Sequence, residues 1–262
     1  MANSSSGESV LSRIVRIVGS FDDGKPGMGV AAIARRAGIP LATTHRLVAG
    51  LVDAGWLEHQ ANGEVLIGLR LWELVNRNSA VLGLRQAAMP FMEDIQAVVH
   101  QHTQLGVLEG DEVLFLERLS SRGSVVNEAR VAGRLPAHVS SSGMVLLAFS
   151  PRHVQESYLR RHDDGLDAAQ LRRDLAGIRQ AGYAALTGQV VEETTGIAVP
   201  VLAGTGRLGA GRPVAGRPVA ALGVVVAAGE EKIPAIVPAL MTAARGLAGA
   251  VGQVVPGTGR WT

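Results

Sequence analysis

The segment spanning residues 30–55 constrains the fold more than any other part of this sequence. It contains two short helical patterns of apolar residues, separated by the tripeptide Gly38-Ile39-Pro40. Glycine favours the end of a helix and proline favours its first turn, so the tripeptide predicts a tight turn between two helices. The second pattern opens with polar residues, Thr43 to Arg46, and then becomes apolar on one face. This arrangement is typical of a helix-turn-helix whose second helix enters the DNA major groove.

A hairpin signal follows directly after the second helix. Two short extended segments, 56–59 and 64–67, flank the turn sequence Gln60-Ala61-Asn62-Gly63. An Asn-Gly pair between such segments predicts a β-hairpin, and a hairpin at this place is a wing. We therefore predict a winged helix-turn-helix domain over residues 9–68. Residues 1–8 are small and polar, and we expect them to form a disordered tail.

The rest of the sequence predicts a second domain with an α+β fold. Helical spacing predicts a linker helix in the segment 69–83, and a longer helix after it. We predict an α/β domain over 84–255, because the apolar period then shifts towards two and helices alternate with strands. The predicted strands are 105–107, 112–119, 124–131, 183–190, 196–203 and 219–228, and the predicted helices are 144–149, one from 151, 167–182 and 234–251. Residues 204–218 contain GRPVA twice in tandem and predict a flexible Gly/Arg/Pro loop.

Composition excludes several classes of protein. The sequence contains no cysteine, which excludes disulfides, cysteine nucleophiles and thiolate metal ligands. We see no secretion signal and no apolar run of the ~20 residues that span a bilayer, so we expect a cytoplasmic protein without a membrane partner. The net charge is only +2, and residues 1–79 carry eight Lys and Arg against seven Asp and Glu. DNA binding must therefore depend on where individual basic residues lie.

Several motifs in this order make the chain resemble the IclR family of bacterial transcription regulators. They are IARRAGIPLATTHRLVAGLVDAGWLE (33–58), LIGLRLWEL (66–74), LGVLEGDEVLFLERLSS (105–121), GRLPAHVSSSGMVLLAF (133–149), GIAVPV (196–201) and PVAALGVVVAAG (218–229). The resemblance implies a winged DNA-binding domain, a linker helix and a GAF-like effector-binding domain. It also implies a homodimer or tetramer that binds a double-stranded DNA operator. The function it implies is repression of a catabolic or metabolic operon, controlled by a small organic acid.

The polar start of the second helix supplies the candidate DNA contacts. Arginine can donate to guanine or to phosphate, and threonine suits phosphate or the thymine methyl group. A plain solvated helix face is the alternative interpretation. Two arginines of the first helix are expected at the DNA backbone, and one histidine lies on the wing. The candidate DNA-binding residues are therefore Arg35, Arg36, Thr43, Thr44, His45, Arg46 and His59. Members of the family commonly have a basic residue and a serine where this chain has Leu41 and Ala42, so two phosphate-type contacts are missing.

A second candidate site lies at Ser140-Ser141-Ser142, ahead of an apolar helix with no acidic residue in its first turn. The free N–H groups at such a helix start attract an anion, and serine hydroxyls can add hydrogen bonds to a carboxylate. A simple serine cap is the alternative. With the positions that the resemblance adds, the candidate effector-binding residues are Asn127, Leu135, Ser141, Ser142, Gly143, Glu193, Thr195, Gly223 and Val225. Some relatives have serines at the last two positions and apolar residues near Asn127, which we interpret as a different ligand, bulkier or aromatic.

Two other functions remain open from the sequence. A hydrolase could use the Ser140–Ser142 loop, but His138 nearby has no evident acid–base partner. A protein-interaction module that has lost DNA binding would fit the departure at Leu41 and Ala42. Residues 204–209 match G-x-G-x-x-G, yet a loop and a strand are predicted after them instead of a helix. We therefore expect no cofactor, no metal site and no catalytic residues.

Overall fold

The computed structural model of the chain describes residues 8–21, 27–162, 165–204, 206–208, 212–214 and 216–254. The chain divides into two compact units, the first ending at Ser79 and the second beginning at Ala80. The predicted linker segment 69–83 spans this division, because it contains a break between two helices. One helix ends at Asn78, Ser79 is extended with φ −89° and ψ 114°, and the next helix begins at Ala80.

The described part of the first unit contains four helices and three short strands. They are α1 (Val10–Gly19), β1 (Gly27–Gly29), α2 (Val30–Ala37), α3 (Leu41–Asp53), β2 (Leu57–His59), β3 (Glu64–Ile67) and α4 (Leu69–Asn78). The apolar faces of the first three helices meet in one core, which includes Ile17, Ile33 and Val48. Residues 1–7 of the predicted tail lie outside the described residues. Glu8, the last residue of the predicted tail, lies in the described part and forms an ion pair with Arg16, at 2.7 Å.

The wing is a three-stranded antiparallel sheet in the order β1-β3-β2. The sequence predicts β2 and β3, and β1 adds a third strand to them. At Gly27 a Cβ atom would lie 2.6 Å from Cδ2 of Leu66 across the sheet, so glycine leaves room for that side chain. The glycine therefore allows close strand pairing, although its propensity argues against a strand.

The second unit is an antiparallel sheet with helices on both faces. Its elements are α5 (Ala80–Val99), β4 (His102–Glu109), β5 (Glu112–Ser120), β6 (Arg134–Pro136), α6 (Ser141–Phe149), α7 (Arg152–Arg161), α8 (Ala168–Ala181), β7 (Ala184–Thr187), β8 (Thr194–Ala203), β9 (Gly206–Leu208), β10 (Arg212–Val214), β11 (Arg217–Ala227) and α9 (Ile233–Val254). The main sheet has six strands in the order β6-β5-β4-β11-β8-β7. Alternate residues of each strand point to opposite faces. One face packs against α5 and α9, and the other against α6, α7 and α8.

The strand predicted over 124–131 does not form. Residues 121–133, which we call the strap, have no regular secondary structure, and β6 begins only at Arg134. The backbone carbonyls of the strap are bound by side chains from neighbouring strands. Arg118 donates to the carbonyls of Asn127 and Ala129, and the His102 ring lies 2.6 Å from the carbonyl of Val125. Alternating polarity alone predicts a strand here. In the structure, the side chains of Arg118 and His102 bind the strap carbonyls, in place of a neighbouring strand.

Two further sequence-based expectations concern the end of the chain. In the segment 204–218, residues 206–208 and 212–214 pair as short antiparallel strands, and other residues of the predicted loop lie outside the described part. Helix α9 corrects the statement that no apolar run could span a bilayer, because Ile233–Gly252 is long enough, with a mean hydropathy of 1.4. Residues from its buried side, such as Leu240 and Leu247, belong to the core beneath the sheet. A core helix passes the same test of length and composition.

Candidate DNA-binding and effector-binding sites

The turn between α2 and α3 has the geometry that the sequence predicts. Gly38 adopts the left-handed conformation, with φ 62° and ψ 37°, which ends α2. The buried Ile39 then donates from its N–H to the carbonyl of Ala34, at 3.0 Å. Pro40 precedes α3 as its cap instead of being its first residue. The turn therefore fixes α3 against α2 and leaves its opposite face to solvent.

The exposed face of α3 carries His45 and Arg46, and Thr43 is half-buried beside them. Thr44 is different, because its side chain is fully buried (0% exposed) and its hydroxyl donates to the carbonyl of Pro40, at 3.2 Å. The structure thus contradicts the prediction that Thr44 contacts DNA. The reason is helical geometry: residue 44 lies one turn before the buried Val48 and shares its face.

The two arginines of α2 also differ. Both are exposed, but the guanidinium of Arg36 donates to the carbonyl of Ser20, at 3.1 Å, near the end of α1. Arg36 therefore stabilises the packing of α1 on α2.

The wing places His59 on its outer surface, at the end of β2. The turn that follows is held by the Asn62 side chain, whose Oδ1 accepts from the N–H of Glu64 at 3.0 Å, and by Gly63, with φ 82°. This geometry explains the Asn-Gly pair and leaves the His59 ring exposed.

In the second unit, a cavity lies between the sheet, the strap and the start of α6. Its lining residues are Gln104, Phe115, Val126, Asn127, Glu128, Ala129, Leu135, Val139, Ser140, Ser141, Leu186, Gln189, Val190, Val191, Thr194, Gly196 and Val225. Just over half of these lining residues are aliphatic or aromatic, and the polar ones include Gln104, Asn127 and Ser141. A concave, largely apolar site with few polar groups is the usual form of a small-molecule site.

The start of α6 forms one end of this cavity. Ser140 caps the helix, because its hydroxyl accepts from the N–H of Gly143 at 3.0 Å, and no acidic residue lies in the first turn. Ser141 is buried and lines the cavity. Gly143 does not line it, and is glycine because a Cβ atom would lie 2.4 Å from the Cα of Ala137. At the other end of α6, Arg179 donates to the carbonyl of Ala148 at 2.7 Å, which complements the helix dipole.

The structure brings only some of the predicted effector residues to the cavity. Those that line it are Asn127, Leu135, Ser141 and Val225. Ser142 and Gly223 face each other behind its wall: the Ser142 hydroxyl is 3.5 Å from where a Cβ of residue 223 would lie. Among the described side chains, the Ser142 hydroxyl is a buried polar group without a hydrogen-bond partner.

Glu193 and Thr195 do not reach the cavity. Thr195 lies on the opposite face of the sheet, where its hydroxyl contacts Thr187, at 2.8 Å, and Glu231. Glu193 is exposed in the turn before β8. Thr194, which lies between Glu193 and Thr195, lines the cavity instead, because successive strand residues alternate between the two faces of the sheet.

Sequence reasoning also missed Gln104, Phe115 and Gly196, which line the cavity from three different strands. Strand alternation could have identified Gly196, since Thr194 and Gly196 share a face. Gln104 could not have been found this way, because its neighbour across the sheet, Gly223, depends on pairing with a distant strand.

The histidine near the serine loop is engaged elsewhere. The Nδ1 atom of His138 lies 2.6 Å from the hydroxyl of Tyr158, which also accepts from the His138 backbone N–H at 3.2 Å. Burial lowers the pKa of His138 below its usual value and raises that of Tyr158. The Tyr158 ring stacks on His162, with centroids 4.3 Å apart. In this arrangement His138 serves the turn before α6 and not a serine nucleophile. Among the described residues, no group of three or more His, Asp and Glu could hold a metal ion.

Comparison with known families now identifies the chain. The model of the IclR helix-turn-helix domain matches residues 10–61, and that of the bacterial transcriptional regulator IclR C-terminal domain matches residues 78–247. The chain belongs to the IclR family. This confirms the resemblance drawn from the motifs, and the mixed α+β fold with an N-terminal helix-turn-helix domain.

Individual IclR relatives agree. The crystal structure of an IclR homolog from Microbacterium hydrocarbonoxydans, complexed with 4-hydroxybenzoate, has a TM-score of 0.84 and 41% identity, and the match covers 94% of this chain and 100% of that chain. The Pca regulon regulatory protein of Pseudomonas putida is 24% identical over 206 residues, which are 76% of this chain and 70% of that protein. The HTH-type transcriptional regulator KipR of Bacillus subtilis is 24% identical over 184 residues, 68% of this chain and 74% of that protein. The protein is thus an IclR-type, ligand-responsive DNA-binding transcription regulator, and these relatives are regulators and not enzymes.

Proposed function

We propose that this IclR-type regulator is a repressor controlled by a small aromatic carboxylic acid, and that the acid binds in the cavity beside α6. The observation that carries this proposal is the cavity itself, which joins an anion-attracting helix start to apolar walls. The 41% identical homolog complexed with 4-hydroxybenzoate supports the ligand class.

The chemistry of the cavity fits such a ligand. Among the described residues that line it, none is basic, so a carboxylate would be held by the N–H groups of α6 and the hydroxyl of Ser141. Phe115, Leu135 and Val225 would enclose the ring, where burial of apolar surface contributes to affinity. A ligand without an apolar body would leave these walls uncovered.

For the operator, we propose that His45 and Arg46 read base edges in the major groove, with Thr43 at a phosphate. Arg35 and His59 would bind the DNA backbone on either side. Their exposure on α2, α3 and the wing supports these roles. Arg36, bound to Ser20, would contribute mainly by holding α2 in place.

We also propose that the regulator is a homo-oligomer in which α4 contributes a contact between copies. No residue of α4 that the structure describes is buried, yet one side of the helix is apolar: Leu69, Trp72 and Val75 are 65%, 61% and 51% exposed. A helix with this pattern normally covers its apolar side. Sedimentation velocity tests this: Trp72→Gln should weaken association, whereas Arg77→Gln on the polar side should not.

The remaining proposals are that the protein acts in the cytoplasm, where operator DNA lies, and has no enzymatic activity. The contact between His138 and Tyr158 supports the second, because it engages the histidine nearest in sequence to the Ser140–Ser142 loop. Repression is tested by deleting the gene, which should raise expression of the operon it controls.

The ligand proposal is tested by calorimetric titration of the full chain with 4-hydroxybenzoate. Wild type should bind, and Ser141→Ala should bind about tenfold more weakly, because a hydrogen bond to a charged group is lost. Ser142→Ala is the matched control and should bind like wild type, since residue 142 does not line the cavity. No binding by wild type, or equal affinity for both variants, would count against the proposal.

A further inference from the structure

Gln104 is a polar residue on the apolar floor of the cavity. It lies in the middle of β4, is only 3% exposed, and points to the face of the sheet that carries α6. Its neighbours across the sheet are Gly223 on β11 and Arg118 on β5. A buried amide is costly unless both of its polar atoms find partners, so its presence here requires a reason.

One half of the Gln104 amide has a partner in the strap. Its Oε1 accepts from Nδ2 of Asn127, at 3.3 Å. Asn127 is itself held, because its Oδ1 accepts from the N–H of Ala129 at 2.9 Å, and Arg118 donates to its carbonyl at 3.1 Å. This chain of contacts fixes the orientation of the Gln104 amide and turns its Nε2 away from the strap.

The other half of the amide is available. In the part of the chain that the structure describes, Nε2 of Gln104 makes no hydrogen bond to another residue. Because Gln104 lines the cavity, a ligand oxygen can approach this donor. A buried donor oriented by its neighbours is a typical means of reading one polar group on a ligand.

The strand register places this donor beside the first turn of α6, because Gln104 pairs with Gly223, over which the Ser142 hydroxyl lies. Ser141 sits over Gly196, where a Cβ atom would lie 2.8 Å from its hydroxyl, and Gly196 pairs with Val225. On the other side of β11, Gln104 pairs with Gly223, which is two residues before Val225 in that strand. With standard strand spacing, the Cα atoms of Gln104 and Gly196 are about 12 Å apart. A ligand whose carboxylate is held at Ser141 would therefore extend across β11 to reach Gln104.

We infer that Gln104 is a specificity-determining residue, which donates from Nε2 to a ring oxygen opposite the carboxylate of the ligand, and that Asn127 is its positioning residue. The inference rests on the proposed function, because it needs an aromatic acid in the cavity. It predicts a preference for a para-hydroxyl group over a methyl group of similar size. A site built to donate a hydrogen bond rejects an analogue that leaves the donor unpaired.

Calorimetric titration of the full chain with benzoate, 4-methylbenzoate and 4-hydroxybenzoate tests this. For wild type, we expect 4-hydroxybenzoate to bind at least about tenfold more tightly than 4-methylbenzoate. In Gln104→Met, which keeps length and apolar volume, that ratio should fall to about one, while benzoate still binds and so shows that the cavity is intact. The matched control is Gln180→Met, at an exposed position of α8 that does not line the cavity, and it should leave the ratio unchanged.

The outcomes are distinguishable. If wild type shows no preference for the hydroxyl group, or if Gln104→Met keeps the wild-type ratio, the role of Gln104 is overturned while the aromatic-acid proposal stands. Equal loss of the hydroxyl preference in Gln104→Met and in the control variant also overturns the role of Gln104. If wild type binds none of the three acids, the ligand class and this inference fail together. A second variant, Asn127→Ala, should weaken the preference partly, since it releases the Gln104 amide without removing it.

Discussion

The starts of α3 and α6 look alike in sequence and behave differently in the structure. Each begins with a cluster of hydroxyl and small residues, around Thr43-Thr44 and around Ser140 to Ser142. The start of α3 is open: Pro40 offers no side-chain cap, and Leu41 is 49% exposed. The start of α6 is closed, because Ser140 caps it and the whole first turn is buried. The open start suits a macromolecule that lies across it, and the closed one suits a small molecule.

Both clusters contain one hydroxyl that turns away from the surface it was expected to serve. Thr44 donates to the carbonyl of Pro40 and so stabilises the helix start. The hydroxyl of Ser142 is buried and, among the described residues, has no partner. Position in a polar cluster therefore does not define a contact residue; the face of the helix does.

The largest expected effect is a change in stability that differs between the two helices, because their glycines are packed differently. Gly143→Ala should destabilise the second unit by about 3 kcal/mol, because the new Cβ would overlap the backbone of Ala137. Urea unfolding measures it. The matched change in α3 is Gly50→Ala, where no atom lies within 4 Å of the new Cβ. It should stabilise the first unit by about 0.5–1 kcal/mol. Similar results for the two changes would show that the start of α6 is not closed.

The next effect tests the open helix. Arg46→Ala should weaken operator binding by about 2 kcal/mol and lower the salt dependence of binding if the guanidinium also meets a phosphate. Fluorescence anisotropy with DNA upstream of the gene, at several salt concentrations, measures both. Arg152→Ala removes an equally exposed arginine from α7 and should leave binding unchanged. Equal affinity for wild type and Arg46→Ala would remove Arg46 from the proposed contacts.

The difference between the two helices also shows how far the sequence can predict such sites. Periodicity located both helices and the wing, because these depend on neighbouring residues: Gly38, Pro40 and the Asn62-Gly63 turn act locally. Predictions failed where the deciding contact comes from a distant part of the chain. The strand predicted over 124–131 is replaced by the strap, whose Asn127 carbonyl is bound by Arg118, and Gln104 meets Gly223 across the sheet. Thr195 was assigned to the cavity, although it faces the other side, since a shift of one residue in a strand reverses the face.

A smaller effect concerns the two inward hydroxyls. Thr44→Val should destabilise the first unit by up to about 1 kcal/mol, because it removes a buried hydrogen bond and keeps the shape. Ser142→Ala should stabilise the second unit by about 1 kcal/mol, because it removes a buried hydroxyl without a partner. Thermal unfolding with and without each change measures the pair. If both variants were destabilised, the Ser142 hydroxyl would have a hydrogen-bond partner, as the Thr44 hydroxyl does.

The smallest effect is a difference in pH response. His138 lies in the turn before α6, whereas the turn before α3, Gly38 to Pro40, holds no titratable side chain. Because burial lowers the pKa of His138 below 6.5, the unfolded chain binds this proton more readily. The stability from this group is complete above about pH 6.5 and is lost as the pH falls through the folded-state pKa.

Urea unfolding of the second unit between about pH 7 and pH 5 checks this response. Wild type should lose stability as the pH falls, and His138→Gln should lose less of it. His153→Gln, at an exposed histidine of α7, should follow wild type. A His138→Gln profile that follows wild type would contradict the role of burial at this turn.

The central claim is that the open helix start of α3 and the closed one of α6 are linked, so that a small aromatic acid at α6 changes DNA binding at α3. The most direct measurement is the anisotropy of labelled DNA from upstream of the gene, bound to the full chain and titrated with 4-hydroxybenzoate. The account predicts release of the DNA by wild type, and release at about tenfold higher concentration by Ser141→Ala. Specific DNA binding that is unchanged by the acid, in a protein that calorimetry shows to bind it, would contradict the claim.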